Sequence, residues 1–249
     1  MIRAIAGAVG FGTRLPVGRS GAAWDALLDR PGLLALAAVP TAVAGAGAVA
    51  LPVPAETAAI AYVGALVAVG GITHLDGLAD CGDAAVAHGS PAERRAIVAD
   101  TRLGVGGTFA LALWVVALVA AGLVLGRATA SEAVGIVVAS EATASLAMVA
   151  LAVAGPATTD GLGGTVIEAA GPTDALVAAA IALPLLAAGG SAGPGVPIAT
   201  LLGGAIAALA VAVWARRALG GVTGDVLGAT HAIARVLAVH AGVVVWTAS

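Results

Sequence analysis

The sequence predicts an all-α, polytopic membrane protein with six or seven transmembrane helices, built as one integral membrane domain over residues 1–249. Three observations carry this. The 249 residues are 60% hydrophobic and only 10% charged, whereas a soluble domain carries about a quarter charged residues. Too few charges exist to solvate a water-facing surface, so lipid must cover much of it. Apolar runs of spanning length occur at residues 32–52, 56–72, 108–126, 132–154, 174–190, 197–215 and 236–249; a spanning helix needs about 20 apolar residues. No ten-residue polar/apolar alternation marks barrel strands, and helices and closed barrels alone satisfy their backbone groups in lipid.

In chain order, residues 2–17 read as a re-entrant or interfacial helix ending at Pro16. They contain Arg3 and Arg14 and lack a long apolar core followed by a cleavage site, so no cleavable signal peptide is expected. Leu51-Pro52-Val53-Pro54 makes a tight connection between the first two spans, and Gly189 to Pro197 makes a second turn. Aromatic residues are scarce at 3% and Ala and Gly abundant, which lets helices approach closely in lipid. Glu141, beside Ser140, interrupts the fourth run and must be paired or neutral there. The seventh run is short and reads as half-inserted. All eleven basic residues are Arg. With a cytoplasmic N-terminus, ten of them, Arg235 included, fall in inside segments and only Arg127 outside, as the positive-inside rule requires. The single Cys81 excludes an internal disulfide and a cysteine-rich zinc site. A net charge of -3 and the lack of a basic, aromatic-studded patch exclude a nucleic-acid partner.

The inside segments hold nearly all the chemistry. The first reads Thr73-His74-Leu75-Asp76-Gly77-Leu78-Ala79-Asp80-Cys81-Gly82-Asp83. Its three Asp residues stand at i, i+4 and i+7, on one helical face. Like charges so placed repel unless a cation sits among them, and carboxylate oxygens suit a hard ion such as Mg²⁺. A solvated acidic face is the bland alternative, but acids beside a membrane core are costly and tend to be functional. His74 is a metal ligand, a phosphate contact or a structural histidine, the last being favoured on its own. Cys81, His88 and the Glu93-Arg94-Arg95 stretch read as packing, a turn and a solvated helix. Next, Asp100-Thr101-Arg102-Leu103-Gly104 offers a guanidinium able to clamp phosphate through two bonds. A third segment is Thr159-Asp160-Gly161-Leu162-Gly163-Gly164. The fourth runs from Arg216-Arg217 through Gly220-Gly221-Val222-Thr223-Gly224-Asp225. Its cations and hydroxyl suit phosphate oxygens, and its acid suits a metal.

At these residues the chain resembles the adenosylcobinamide-GDP ribazoletransferase (cobalamin 5′-phosphate synthase) family. The resemblance rests on Thr13-Arg14-Leu15-Pro16-Val17, on His74-Leu75-Asp76-Gly77-Leu78-Ala79-Asp80 with Asp83, on Asp100 with Arg102-Leu103-Gly104, on Gly161-Leu162-Gly163, and on Gly220-Gly221 with Thr223-Gly224-Asp225 and Leu227-Gly228-Ala229. These occur in family order over almost the whole chain. The resemblance implies a multi-pass cell-membrane enzyme, active on the cytoplasmic face. It would join adenosylcobinamide-GDP to α-ribazole or its 5′-phosphate, releasing GMP, with Mg²⁺ as cofactor. Asp76, Asp80, Asp83 and Asp225 would then hold metal. Asp83, Asp100 and Arg102 would be catalytic, with Asp83 or Asp100 as proton acceptor. Arg14, His74, Arg217, Gly221 and Thr223 would contact substrate. Three positions depart from the family pattern: Glu141 stands where Arg is frequent, and Ala232 and Arg235 stand where acids are frequent.

Two rivals predict different features. A CDP-alcohol phosphotransferase uses Asp-Gly before Ala-Arg with two further Asp four apart, and the spacing of Ala79, Asp80 and Asp83 fits that poorly. A cation transporter requires polar groups at mid-membrane depth, of which the sequence reading offers only Glu141.

Overall fold

A computed structural model describes residues 1–158 and 161–249. Helices α1 (Ile2–Gly12) and α2 (Gly21–Leu28) lead into a 3₁₀ segment, Pro31–Ala37, which runs into α3 (Ala38–Val49). Then follow α4 (Ala55–Gly70), α5 (Thr73–Val86), α6 (Pro91–Val98), α7 (Val105–Leu125), α8 (Ala130–Ala154), α9 (Leu162–Ala169) and α10 (Pro172–Ala187). A second 3₁₀ segment, Ala188–Ala192, precedes α11 (Val196–Ala218) and α12 (Gly224–Thr247). Among the described residues the only β pairing is an isolated bridge between Ala157 and Val222.

Among the described residues, six helical stretches are long and apolar enough to cross a membrane, and the pair α4 and α5, bent by 99°, makes a seventh if taken as one span. The bend falls at Gly71, whose φ of 78° suits glycine. α8 is the central column: Ser, Thr, Ala and Gly dominate it, and α3, α10, α11 and α12 all pack against it. The outer helices show the lipid-facing counterpart, with Phe109 and Leu113 of α7, Leu176 and Leu183 of α10 and Ile206 and Leu209 of α11 exposed. α1, at 11 residues, is too short to span. It stops at Gly12 rather than Pro16, because Thr13 turns extended (φ −143°, ψ 173°) and its hydroxyl closes the helix on the Val9 carbonyl.

The seventh run is corrected. α12 is a full helix of 24 residues beginning at Gly224, not a half-inserted one beginning at 236. Asp225, His231 and Arg235 lower its hydropathy, but His231 and Arg235 are buried against protein and not lipid. Arg235 therefore lies inside a helix and not in an inside loop. Nine arginines still gather at one end of the bundle. That end carries the α4–α5 bend, the start of α7, the ends of α8 and α11, and the starts of α10 and α12. Tight connections occupy the other end, with Arg127.

Candidate active site

The acidic helix α5 is held on both flanks through glycines. A Cβ on Gly77 would stand 2.5 Å from the Asp225 carbonyl oxygen and 2.8 Å from its Cα, so only glycine admits the first turn of α12 there. The reciprocal contact is Gly228, whose Cβ would lie 3.1 Å from the His74 Cα. On the opposite flank Gly82 meets Gly106 of α7: a Cβ on Gly106 would fall 2.4 Å from the Gly82 carbonyl oxygen. The small residues within the acidic motif are thus what lets three helix backbones converge. Asp76 is exposed, and Asp80 and Asp225 are half-buried. Asp80 feels Asp76, Asp225 and Asp83 as neighbouring negative charges.

The loop that delivers Asp225 is braced from three sides. Gly220 turns it at φ 85°. Val222 donates to the Pro156 carbonyl at 2.9 Å and accepts from the Thr158 amide at 3.1 Å, a short ladder joining this loop to the end of α8. Gly163 of α9 packs on Gly224, where a Cβ would come within 2.3 Å of the Gly224 Cα. Gly221 fits under Thr158 for the same reason, its Cβ position lying 2.2 Å from the Thr158 Cγ2. Thr223 is buried and caps α12, accepting from the Val226 amide at 3.2 Å. Arg95, read from sequence as part of a solvated helix, instead donates to the Leu219 carbonyl at the C-terminal end of α11. Its partner is a backbone group 124 positions away, so no local pattern announces it.

Asp83 is held by α7. Its two oxygens accept from the amides of Gly104, at 2.8 Å, and Gly107, at 2.9 Å, two of the unpaired donors at that helix start. Asp100 and Arg102 form an exposed ion pair at 2.6 Å. The guanidinium holds the Asp100 carboxyl below the usual carboxylate range, and the carboxylate raises Arg102 in turn. Neither expected proton acceptor is thus free in this conformation: Asp83 is engaged by amides and Asp100 by a cation. The Arg14 side chain lies over the α4–α5 bend, its Cγ 2.7 Å from where a Gly71 Cβ would be, and its amide donates to the Val69 carbonyl at 2.8 Å. Arg217 is exposed on the last turn of α11. Thr159 and Asp160 lie outside the described residues.

Among the described residues no three His, Cys, Asp or Glu side chains are close enough to share one ion. The donor chemistry still suits magnesium. Asp76, Asp80 and Asp225 are all-oxygen donors on two interlocked helices, and Mg²⁺ typically takes one or two carboxylates plus waters and substrate phosphates and not a full protein cage.

Sequence reasoning missed a second polar cluster, deeper in the bundle. Glu141 of α8 and Arg235 of α12, 0% and 5% exposed, form a two-bond ion pair at 2.6 and 2.7 Å. Two of the three departures from the family pattern, Glu141 and Arg235, therefore meet each other, and the expectation that Glu141 is paired or neutral resolves as paired. One turn before Arg235, His231 stacks on His74, ring centroids 4.2 Å apart, and its Nε2 lies 3.4 Å from the Ser145 hydroxyl. His231 Nδ1, Tyr62 Oη and Thr143 Oγ1 are buried without hydrogen-bond partners among the described residues. Mid-depth polar groups thus exist beyond Glu141, as a transporter requires. Glu141 and Arg235 close on one another, however, and the void beside His74, His231, Arg235 and Trp114 measures only about 10 Å³.

A family model described as Cobalamin-5-phosphate synthase matches residues 4–243. The chain is 46% identical to the adenosylcobinamide-GDP ribazoletransferase of Halorubrum lacusprofundi, covering 99% of both chains. It is 39% identical to that of Haloquadratum walsbyi, again over 99% of both. To that of Halobacterium salinarum it is 44% identical, covering 78% of this chain and 97% of the relative. No solved structure matches.

Proposed function

The chain belongs to the cobalamin-5-phosphate synthase family, and on that premise we propose that it joins adenosylcobinamide-GDP to α-ribazole or its 5′-phosphate and releases GMP. The observation that carries the assignment to this site is the Gly77 contact, which sets the first turn of α12 directly on the acidic helix. It brings a carboxylate from each end of the chain to one face, ringed by arginine-bearing loops. The same family match disfavours the CDP-alcohol phosphotransferase and transporter readings.

The reaction is an in-line transfer at phosphorus. The ribazole hydroxyl oxygen forms a bond to the phosphorus on the cobinamide side of the diphosphate, the bond to the bridging oxygen breaks, and GMP departs with that oxygen. Such chemistry asks the protein mainly for positioning and charge neutralisation. One or two of the carboxylates Asp76, Asp80 and Asp225 would hold Mg²⁺. When bound, the ion neutralises diphosphate charge and the charge that develops on the leaving phosphate. Arg14 and Arg217, exposed at the same end, would take the remaining phosphate oxygens, with Arg102 joining them once it exchanges Asp100 for substrate. Thr223 and Gly221 shape the loop that presents Asp225, and His74 of α5 packs on His231 of α12. Asp83 anchors α5 to the start of α7. The hydroxyl proton would go to whichever of Asp80 and Asp225 is less committed to the ion. The arginine-rich end is assigned to the cytoplasmic side of the cell membrane by the positive-inside rule.

The test is release of GMP by purified protein given both substrates and Mg²⁺. Magnesium-dependent GMP formation is the expected outcome. Folded protein that binds the divalent ion and both substrates yet releases no GMP overturns the reading.

A further inference from the structure

We propose that the buried Glu141–Arg235 pair, with the His231–His74 stack, is a positioning element for the acidic site. It fixes the axial and rotational register of α12 on α8 and α5, so that Asp225 is presented to Asp76 and Asp80. The inference rests on the functional reading above, because it assigns these residues to the same site.

Three observations carry it. First, the cluster connects the helices that form the site. Glu141 and Ser145 come from α8, His231 and Arg235 from α12, and His74 from α5, two residues before Asp76. Arg235 follows Asp225 by ten residues, roughly 15 Å along the same rigid helix. A slip at Arg235 is therefore passed on to Asp225.

Second, the direct α5–α12 contacts nearer the site are glycine packing contacts. Gly77 against the Asp225 backbone and Gly228 against the His74 backbone allow close approach without specifying a register. A guanidinium fork on a carboxylate, at 2.6 and 2.7 Å, specifies one. Fixing register is the best-attested use of a buried charged or polar group, whose net effect on stability is often small or unfavourable.

Third, the cluster is not itself a substrate site. The adjoining void of about 10 Å³ has room for at most about one water. Its influence must pass through the helices.

The experiment compares three variants with the intact protein in detergent or nanodiscs. Each is read by thermal midpoint, by Mn²⁺ half-saturation in EPR, and by kcat and KM for GMP release. Glu141→Leu with Arg235→Met removes both charges while keeping bulk. We expect it to fold with an unlowered midpoint yet to bind Mn²⁺ about tenfold more weakly, the size of effect seen when groups supporting metal ligands are lost, with kcat falling and KM little changed. Glu141→Arg with Arg235→Glu reverses the fork and should recover most of the Mn²⁺ affinity. Arg235→Lys keeps the charge, is expected to fold, and loses the two-bond geometry; its Mn²⁺ affinity should fall by several-fold. It carries the test alone if the apolar pair does not fold. Wild-type Mn²⁺ binding and kcat in the folded apolar pair, or in Arg235→Lys, overturn the proposal and leave the cluster as packing only. Wild-type GMP release, and its loss in Asp80→Asn, serve as controls. If those fail, the functional reading has failed and not this inference.

Discussion

The molecule holds two polar clusters, and they are built in opposite ways. The deeper one is closed: Glu141 and Arg235 neutralise each other through two hydrogen bonds, out of contact with water. The one at the α5–α12 junction is open. Asp76, Asp80 and Asp225 are like charges brought together by backbone contact at glycine, and among the described residues none forms an ion pair. A buried cluster must satisfy itself, because an unpaired charge there has no water to turn to. A cluster at the membrane face can stay unsatisfied, and that leaves it free to bind. The difference separates what holds the helices from what acts on a ligand.

The largest expected effect comes from breaking the open cluster. Asp80→Asn keeps the side-chain shape and removes the charge at the centre of the carboxylates. We expect GMP release to fall by at least about a hundredfold, the scale for loss of a group that stabilises developing charge. The thermal midpoint should hold or rise, since like-charge repulsion is relieved. A variant that loses turnover only by unfolding would show a lowered midpoint, so calorimetry or a fluorescence melt checks the distinction. Gly77→Val comes next. Its Cβ has no room beside the Asp225 carbonyl oxygen at 2.5 Å, so α12 must shift. An overpacked contact of this kind costs about 1–3 kcal/mol, and turnover should drop well beyond what that loss of stability explains.

Asp83→Ala has a smaller and different effect. Asp83 satisfies two amides at the start of α7, and losing a helix cap costs about 0.5–2 kcal/mol. We expect a lower midpoint with Mn²⁺ affinity per folded molecule nearly unchanged. A large loss of Mn²⁺ affinity at an unchanged midpoint would instead return Asp83 to the metal set.

Much of this was legible in the sequence because it is written in local spacing. The runs of apolar residues give the bundle, and Asp76 and Asp80, four apart, give one helical face. Gly77 and Gly82 stand in the acidic segment without a charge or hydroxyl to draw notice, yet they are the contact surface of α5. Asp83 was legible as an acid but not as a cap, because its amide donors lie 21 and 24 residues on, beyond a loop. The Glu141–Arg235 pair was hidden by separation, its partners 94 positions apart. Arg235 moreover broke the apolar pattern, so that the expected run began at residue 236 and not at Gly224. Hydropathy counts a buried ion pair as two polar residues, although paired they behave as part of the core.

The smallest expected effect concerns Asp100, which among the described residues is the open-end acid that forms an ion pair. Arg102 is exposed and pairs with a half-buried Asp100 at the surface, and surface pairs contribute little to stability. Asp100→Asn should therefore leave the midpoint unchanged and free the Arg102 fork for phosphate. The expected result is a KM for adenosylcobinamide-GDP lowered by less than about fivefold, while Arg102→Ala raises it. Their pH behaviour is a further handle. Because Arg102 holds the Asp100 carboxyl below its ordinary range, the pair is intact at neutral pH and is lost only as pH falls through that lowered value. Any titration of turnover near neutrality must then come from another group, and it should persist unchanged in Asp100→Asn. If the neutral limb of the profile disappears in that variant, Asp100 is the proton acceptor after all, and the open cluster extends to the loop before α7.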